Sequence, residues 1–301
     1  MPEYPDVTVY VERLDALCTG QVLQRVRLGS PFLLRTVDPP LPAAHGKRVL
    51  GFERIGKRIV FALEDDLFLV IHLMIAGRLR WKKPGAKLPR GNGLAAFDFA
   101  DGTIIFTEAS KKKRASLHVV RGRAALDDFD RGGLELIGSS IDDFAAALAR
   151  ENHTLKRALT DPRILSGIGN AYSDEILHRA RMSPFKQTSQ LSQGEMVTLH
   201  RACIGVLEEW AARLRAEVGD GFPDKVTAFR DEMAVHGKYR QPCPVCGKPV
   251  QRIVYAENEA NYCAECQTGG RVLADRSLSR LLKQNWPRTI EELEERRPTR
   301  K

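Results

Sequence analysis

Cys243-Pro244-Val245-Cys246 and, after sixteen intervening residues, Cys263-Ala264-Glu265-Cys266 decide the C-terminal architecture of this chain. Each C-x2-C pair bends into a tight knuckle that presents two thiolates, and two knuckles close a tetrahedral four-sulfur site. One structural Zn2+ is expected on Cys243, Cys246, Cys263 and Cys266, because four protein ligands leave no position for water or substrate. Tyr255 and Tyr262, between the pairs, suit the two strands of a hairpin. The other two cysteines, Cys18 and Cys203, are isolated in apolar helical patterns and read as small core residues.

Upstream of the quartet the pattern is helical from Ile141 to about Ala228. Helices are expected over 141–149, from Leu155, over 171–180, and over 192–218. Between the second and third lies Ile164-Leu165-Ser166-Gly167-Ile168-Gly169-Asn170. Two glycines just ahead of a helix allow backbone N–H groups to approach a phosphate, and Asn170 can cap the helix or donate its amide. A plain helix-to-helix turn accounts for the same spacing. No strand precedes the glycines, so a dinucleotide-binding fold is excluded.

Further upstream the chain is β-rich. Short runs at 48–53, 58–63, 67–73, 96–100 and 103–107 are separated by Glu64-Asp65-Asp66, Pro84-Gly85 and Asp101-Gly102, which predicts a sandwich or barrel. Ahead of them Val7, Tyr10, Val11, Leu14 and Leu17 form a helical stripe over 5–19, with Pro5 in the first turn and Gly20 at the stop. Beyond the quartet, a helix is expected from Leu273 to Leu282, and a capping box at Thr289-Ile290-Glu291-Glu292.

No apolar run reaches the ~18 residues of a membrane helix. The acidic start, with Glu3 and Asp6, is no signal peptide, so a cytoplasmic location is expected. Forty-seven basic against 38 acidic residues give a net charge of +9, compatible with a polyanionic partner. The charge clusters at Lys111-Lys112-Lys113-Arg114 and at His236-Gly237-Lys238-Tyr239-Arg240. Either cluster reads as a solvated face or, given the interleaved Gly and Tyr beside the quartet, as a nucleic-acid contact.

The first residues are Met1-Pro2-Glu3. If Met1 is removed, Pro2 carries a secondary amine, a nucleophile of the Schiff-base kind that titrates near pH 8. A proline that merely follows Met is the plain alternative.

Taken together these segments resemble the formamidopyrimidine-DNA glycosylase/endonuclease VIII family. The matching residues run in the family's order: Pro2-Glu3, Gly56-Lys57, His72-Leu73-Met74-Ile75-Ala76-Gly77, Leu155-Lys156, Gly167 through Leu177, Val235-His236-Gly237 and the quartet. The resemblance implies an α+β multidomain protein: an N-terminal helix plus β-sandwich (1–135), a helix–two-turns–helix DNA-binding domain (140–230), a zinc finger (236–270) and a helical C-terminal extension (271–301). It implies a monomeric, nucleoid-associated DNA glycosylase and abasic-site lyase acting on damaged double-stranded DNA. Catalysis would fall to Pro2, Glu3 and Lys57. DNA contacts would fall to Lys57, Ile75, Lys113, Arg114, Lys156, Gly169, Asn170 and Lys238, with Lys156 and Asn170 gripping phosphates. A paralogue that binds damaged or abasic DNA without excision is the main alternative, and a zinc-ribbon module unrelated to repair a third.

The chain departs from the family's pattern in places. Phe106-Thr107 is followed by Glu108-Ala109-Ser110-Lys111-Lys112-Lys113-Arg114 where the family carries an arginine and an aromatic wedge. Ile75 stands at the wedge methionine, and Asn258 at an arginine of the zinc hairpin. Lys111–Arg114 is therefore expected on the strand opposite the lesion, and δ-elimination is expected to be weak beside β-elimination. The lesion itself stays open.

Overall fold

Helix α1 (Tyr4–Cys18) begins at Glu3, whose backbone N–H donates to Asp6 Oδ2 at 3.0 Å while the Glu3 side chain accepts from the Asp6 amide. This reciprocal pairing satisfies two orphan donors of the first turn. The expected stripe faces inward, with Val7, Tyr10, Leu14 and Cys18 wholly buried. In this computed structural model residues 1–224, 226–255, 258–274 and 286–295 are described.

Two antiparallel sheets follow α1. The first has the order β1-β3-β4-β5-β9, from β1 (Val22–Leu23), β3 (Lys47–Ile55), β4 (Arg58–Leu63), β5 (Leu67–His72) and β9 (Ser116–Arg121). The second has the order β2-β7-β8-β6, from β2 (Arg25–Leu28), β6 (Gly77–Lys82), β7 (Gly93–Asp98) and β8 (Thr103–Glu108). Their inner faces make one core: Phe61 of β4 stacks on Phe97 of β7 at 5.4 Å, and Ile59, Leu69, Ile71, Ile104 and Phe106 surround them. The sandwich reading holds, with four strands (β1, β2, β6 and β9) beyond the five expected runs.

The chain divides into two units. The first comprises 1–132 together with 208–228, and the second 133–207 with the described residues from 229 onward. The second contains α2 (Ile141–Ala149), α3 (Leu155–Thr160), α4 (Asn170–Arg179) and the start of α5 (Gln193–Val218), whose end belongs to the first unit. Ser140 caps α2 by accepting from the Asp143 amide, and Thr154 caps α3 by accepting from the Arg157 amide. Cys203 is fully buried in α5.

The hairpin of β10 (Gln251–Tyr255) and β11 (Asn258–Tyr262) joins the two knuckles, and α6 (Ala264–Thr268) closes the second. α7 (Ile290–Glu295) starts at Thr289, which accepts from the Glu292 amide. The return contact of Glu292 goes to the Arg288 amide, so half of the expected capping box forms one residue earlier. Most of the helix expected over 273–282 lies outside the described residues.

Candidate active site and nucleic-acid interface

In the first unit the start of α1 is held against the second sheet by Tyr10. Its hydroxyl accepts from the Leu79 amide and donates to the Leu79 carbonyl, each at 3.3 Å. That fixes Glu3, 2% exposed, at the helix start. The α-amine beside it is lowered below its ordinary value, mainly by burial. Glu3 opposes the shift, Arg78 adds to it, and Asp6 and Lys57 act more weakly. This amine is the one on Met1, one residue ahead of the amine that Pro2 would carry. Lys57 sits in the two-residue turn between β3 and β4, where Gly56 takes φ +58° and Arg54 donates to the Gly56 carbonyl. Burial lowers the Lys57 ammonium too, again opposed by Glu3. Pro2, Glu3 and Lys57 are thus brought into one electrostatic neighbourhood.

Arg78 is a side chain of this neighbourhood that sequence reasoning missed. It donates to the carbonyls of Ile75, Gly77 and Val226, and so supports the 73–77 turn while its charge acts on the α-amine. The signal was present: Gly77-Arg78-Leu79-Arg80-Trp81-Lys82 alternates at strand period. At the tip of that turn Ile75 is 57% exposed. The preceding Met74 takes φ +53°, and its amide donates to His72 Nδ1 at 3.1 Å. Burial, aided by Arg58, Lys57 and His118, pushes His72 down to about 4, so at neutral pH the ring is the neutral acceptor this contact needs.

The basic loop is the neighbour of that turn, because Gly77 pairs with Glu108 and the Ala109 amide donates to the Ala76 carbonyl. Glu108 is 1% exposed, and its carboxylate accepts from the Arg114 and Ala115 amides at 3.0 and 3.2 Å. Lys113, expected on DNA, folds back to donate to the Glu108 carbonyl at 2.6 Å. Lys111, Lys112 and Arg114 are the exposed cations of this loop.

In the second unit Gly167 takes φ +82° and Gly169 caps α4, which puts Asn170 in the first helical turn with its side chain half-buried. This end of a helix carries unsatisfied N–H groups and partial positive charge, the arrangement that binds phosphate. Lys156 does not reach solvent there. It is 4% exposed, and Nζ donates to the Asn170 carbonyl and Ser173 Oγ at 2.8 Å and to Asp174 Oδ1 at 2.5 Å. Three donors meet three internal acceptors, so Lys156 orders the first turn of α4 instead of gripping a phosphate. Lys156→Met is expected to lower stability by about 3 kcal/mol, since it strands a buried carboxylate. The urea midpoint at constant m checks this.

His236, read from sequence as part of a basic run, is likewise buried. Its Nδ1 donates to Asp174 Oδ2 at 2.7 Å, and its ring stacks on Phe229. Glu175 accepts from the Ala234, Val235 and His236 amides at 2.8–2.9 Å. Lys238 is half-buried beside Asp231, at 3.7 Å. The Asn258 side chain lies outside the described residues; its backbone pairs with Tyr255.

The four cysteine sulfurs lie within 4.8 Å of one another, with Cys243 to Cys266 at 3.9 Å and Cys246 to Cys263 at 3.4 Å. A tetrahedral zinc with bonds of ~2.3 Å spaces its sulfurs by about 3.8 Å, so the donor set fits the metal in both spacing and chemistry.

Residues 1–115 match the family model of the formamidopyrimidine-DNA glycosylase N-terminal domain. Residues 138–217 match its H2TH domain, and residues 240–269 a zinc finger found in FPG and IleRS. Over 281 residues the chain is 34% identical to a formamidopyrimidine-DNA glycosylase of Thermus thermophilus, covering 90% of this chain and 100% of that one. Over 151 residues it is 42% identical to an uncharacterized formamidopyrimidine-DNA glycosylase-like protein of Mycobacterium tuberculosis, covering 50% of this chain and 94% of that one. A crystal structure of Lactococcus lactis Fpg with abasic-site DNA superimposes with a TM-score of 0.77 at 25% identity, covering 88% of this chain and 99% of that one.

Proposed function

We propose that in this chain, which belongs to the formamidopyrimidine-DNA glycosylase family and acts in base-excision repair as a DNA glycosylase and abasic-site lyase, both steps run through the secondary amine of Pro2. The supporting observation is the buried neighbourhood of the α-amine, Glu3 and Lys57. Burial and the nearby cations favour the unprotonated form of the Met1 amine, and the Pro2 nitrogen, freed once Met1 is removed, would lie one residue along in the same neighbourhood. The nitrogen attacks C1′ as the bond from C1′ to the base breaks; the nitrogen then gives up its proton, the ring bond from C1′ to O4′ opens with O4′ taking a proton, and an iminium forms. The iminium draws electrons from C2′; the C2′ proton leaves, and the bond to the 3′ phosphate breaks. Glu3 is the acid/base at this centre, and Lys57 supplies positive charge toward the phosphates.

Ile75, on its fixed turn, is the apolar wedge into the space a flipped nucleotide leaves. Lys111, Lys112 and Arg114 meet the opposite strand, and the amides around Gly169 and Asn170 meet a phosphate. The single structural zinc holds the first knuckle, which follows the segment that carries Lys238 toward the backbone. No helix among the described residues is long and apolar enough to cross a membrane. We place the protein as a monomer on double-stranded DNA, in the cytoplasm with the nucleoid.

Borohydride added to the protein with abasic-site DNA tests this reading. A covalent adduct at Pro2, forming at pH 7 and mapped by peptide mass, is the expected result. Bound DNA with no adduct would instead mark a binding paralogue that does not excise. With asparagine at position 258, β-elimination is expected to dominate, and denaturing gels of cleaved abasic DNA check it. A predominant 3′-phosphate end would remove the role given to this substitution.

A further inference from the structure

His178 lies in the last turn of α4 and is 6% exposed. Its Nε2 is 3.2 Å from Sγ of Cys243, which is 2% exposed. A metal-bound cysteine is a thiolate with no hydrogen to give, so in the zinc-loaded protein the imidazole must be the donor at this distance. We propose that His178 is an outer-sphere ligand of the zinc centre, donating Nε2–H to the Cys243 thiolate and so orienting that ligand and strengthening metal retention.

Electrostatics supports the assignment. Four thiolates around a divalent ion leave a net double negative charge. The C-terminal end of a helix is its partially negative pole, an unfavourable neighbour for such a cluster. An N–H directed at the sulfur from that end supplies the missing donor without adding a charge. Hydrogen bonds to a metal ligand fix its orientation, and their loss typically weakens metal binding by about 10–100-fold.

The placement of His178 is also determined in sequence. Asp174 and His178 are four apart and share one face of α4, with Glu175 beside them. Asp174 holds the His236 ring, Glu175 holds the amides of 234–236, and His178 meets Cys243. One helix face therefore secures the chain at successive points along its approach to the first knuckle. On the second knuckle, Gln267 accepts from the Cys263 amide at 2.8 Å and donates to the Met182 carbonyl at 2.9 Å, just beyond α4. The zinc ligands are thus positioned from α4 and the residues that follow it, as well as by their own hairpin.

The test uses the full-length zinc-loaded protein and follows transfer of zinc to a chromogenic chelator. His178→Phe fills the same space without a donor, and transfer is expected to quicken by about 10–100-fold. His178→Gln, whose amide N–H reaches the place of Nε2, is expected to stay within a few-fold of the parent. Histidine 15N NMR on the unaltered protein gives a reading that needs no variant: His178 is expected as the Nε2–H tautomer. Unchanged transfer in His178→Phe overturns the proposal. Equal acceleration in both variants also overturns it, because that reports packing alone. An Nδ1–H tautomer in the loaded protein overturns it directly, whether or not the Phe variant folds.

Discussion

Removing zinc is expected to abolish specific DNA binding, with at least a ~100-fold loss of affinity, and to unfold the C-terminal hairpin. A structural zinc contributes on the order of 10–16 kcal/mol of folding free energy, as much as the whole stability of a typical domain. Beside the polar contacts from α4, two small apolar clusters hold the described part of this module. One apolar cluster consists of Ile253, Tyr262, Ala264, Val272 and Ile290, and a second of Val235, Cys243, Val250 and Cys263. Two of the four members of the second cluster are metal ligands. Metal loss therefore removes the cross-link and disrupts that cluster together. Cys246→Ser is the genetic counterpart, since Cys246 is exposed and its loss costs little packing. Circular dichroism and binding to an abasic-site duplex, before chelation, after it and after zinc is returned, measure the effect. Metal-free protein that keeps its affinity would sink the expectation.

Glu3→Gln is expected to slow base excision by about 10²–10⁴-fold, the range for loss of a positioned general acid or base, and to leave the melting temperature nearly unchanged. The two halves of this expectation rest on different atoms. The Gln amide oxygen can still accept from the Asp6 backbone, so the cap of α1 survives. The protonatable carboxyl beside the α-amine and Lys57 is lost. Single-turnover excision separates chemistry from product release. Excision within tenfold of the parent would falsify the acid/base role of Glu3.

The elements with a clean period were legible in the sequence. The stripe over 5–19 became Tyr4–Cys18, and the runs beginning at 58 and 67 became adjacent paired strands. β1 has only two residues and leaves no periodic trace. β6 did alternate, yet its inward positions Gly77, Leu79 and the half-buried Trp81 are interleaved with Arg78, Arg80 and Lys82, so it resembles a polar loop. At the site, Pro2 could be read from residue type and position only as a candidate amine nucleophile, whereas the roles expected of Glu3 and Lys57 followed from the family resemblance. The internal roles of Lys156 and His236 were not legible. A sequence displays a lysine or histidine as a charge available to a partner, whereas their partner Asp174 lies 18 and 62 positions away and meets them only when α3, α4 and the 234–236 segment pack. Burial changes the sense of such residues, from contacts offered to DNA into internal struts.

The division of α5 between the two units bears on how the protein is made. The sandwich and α1 are complete in sequence by residue 132, but the unit they belong to also takes in residues 208–228. In that later stretch Arg215 grips both Glu12 carboxylate oxygens, at 2.8 and 2.6 Å, and Phe222 packs on Tyr10 at 5.6 Å. A ribosome adding roughly 5–20 residues per second needs about 5–20 s more to deliver them. For that interval the nascent sandwich waits without the partners that Glu12 and Tyr10 of its first helix take from 208–228, and the half of the protein that emerges first is completed only after the other half has begun to appear.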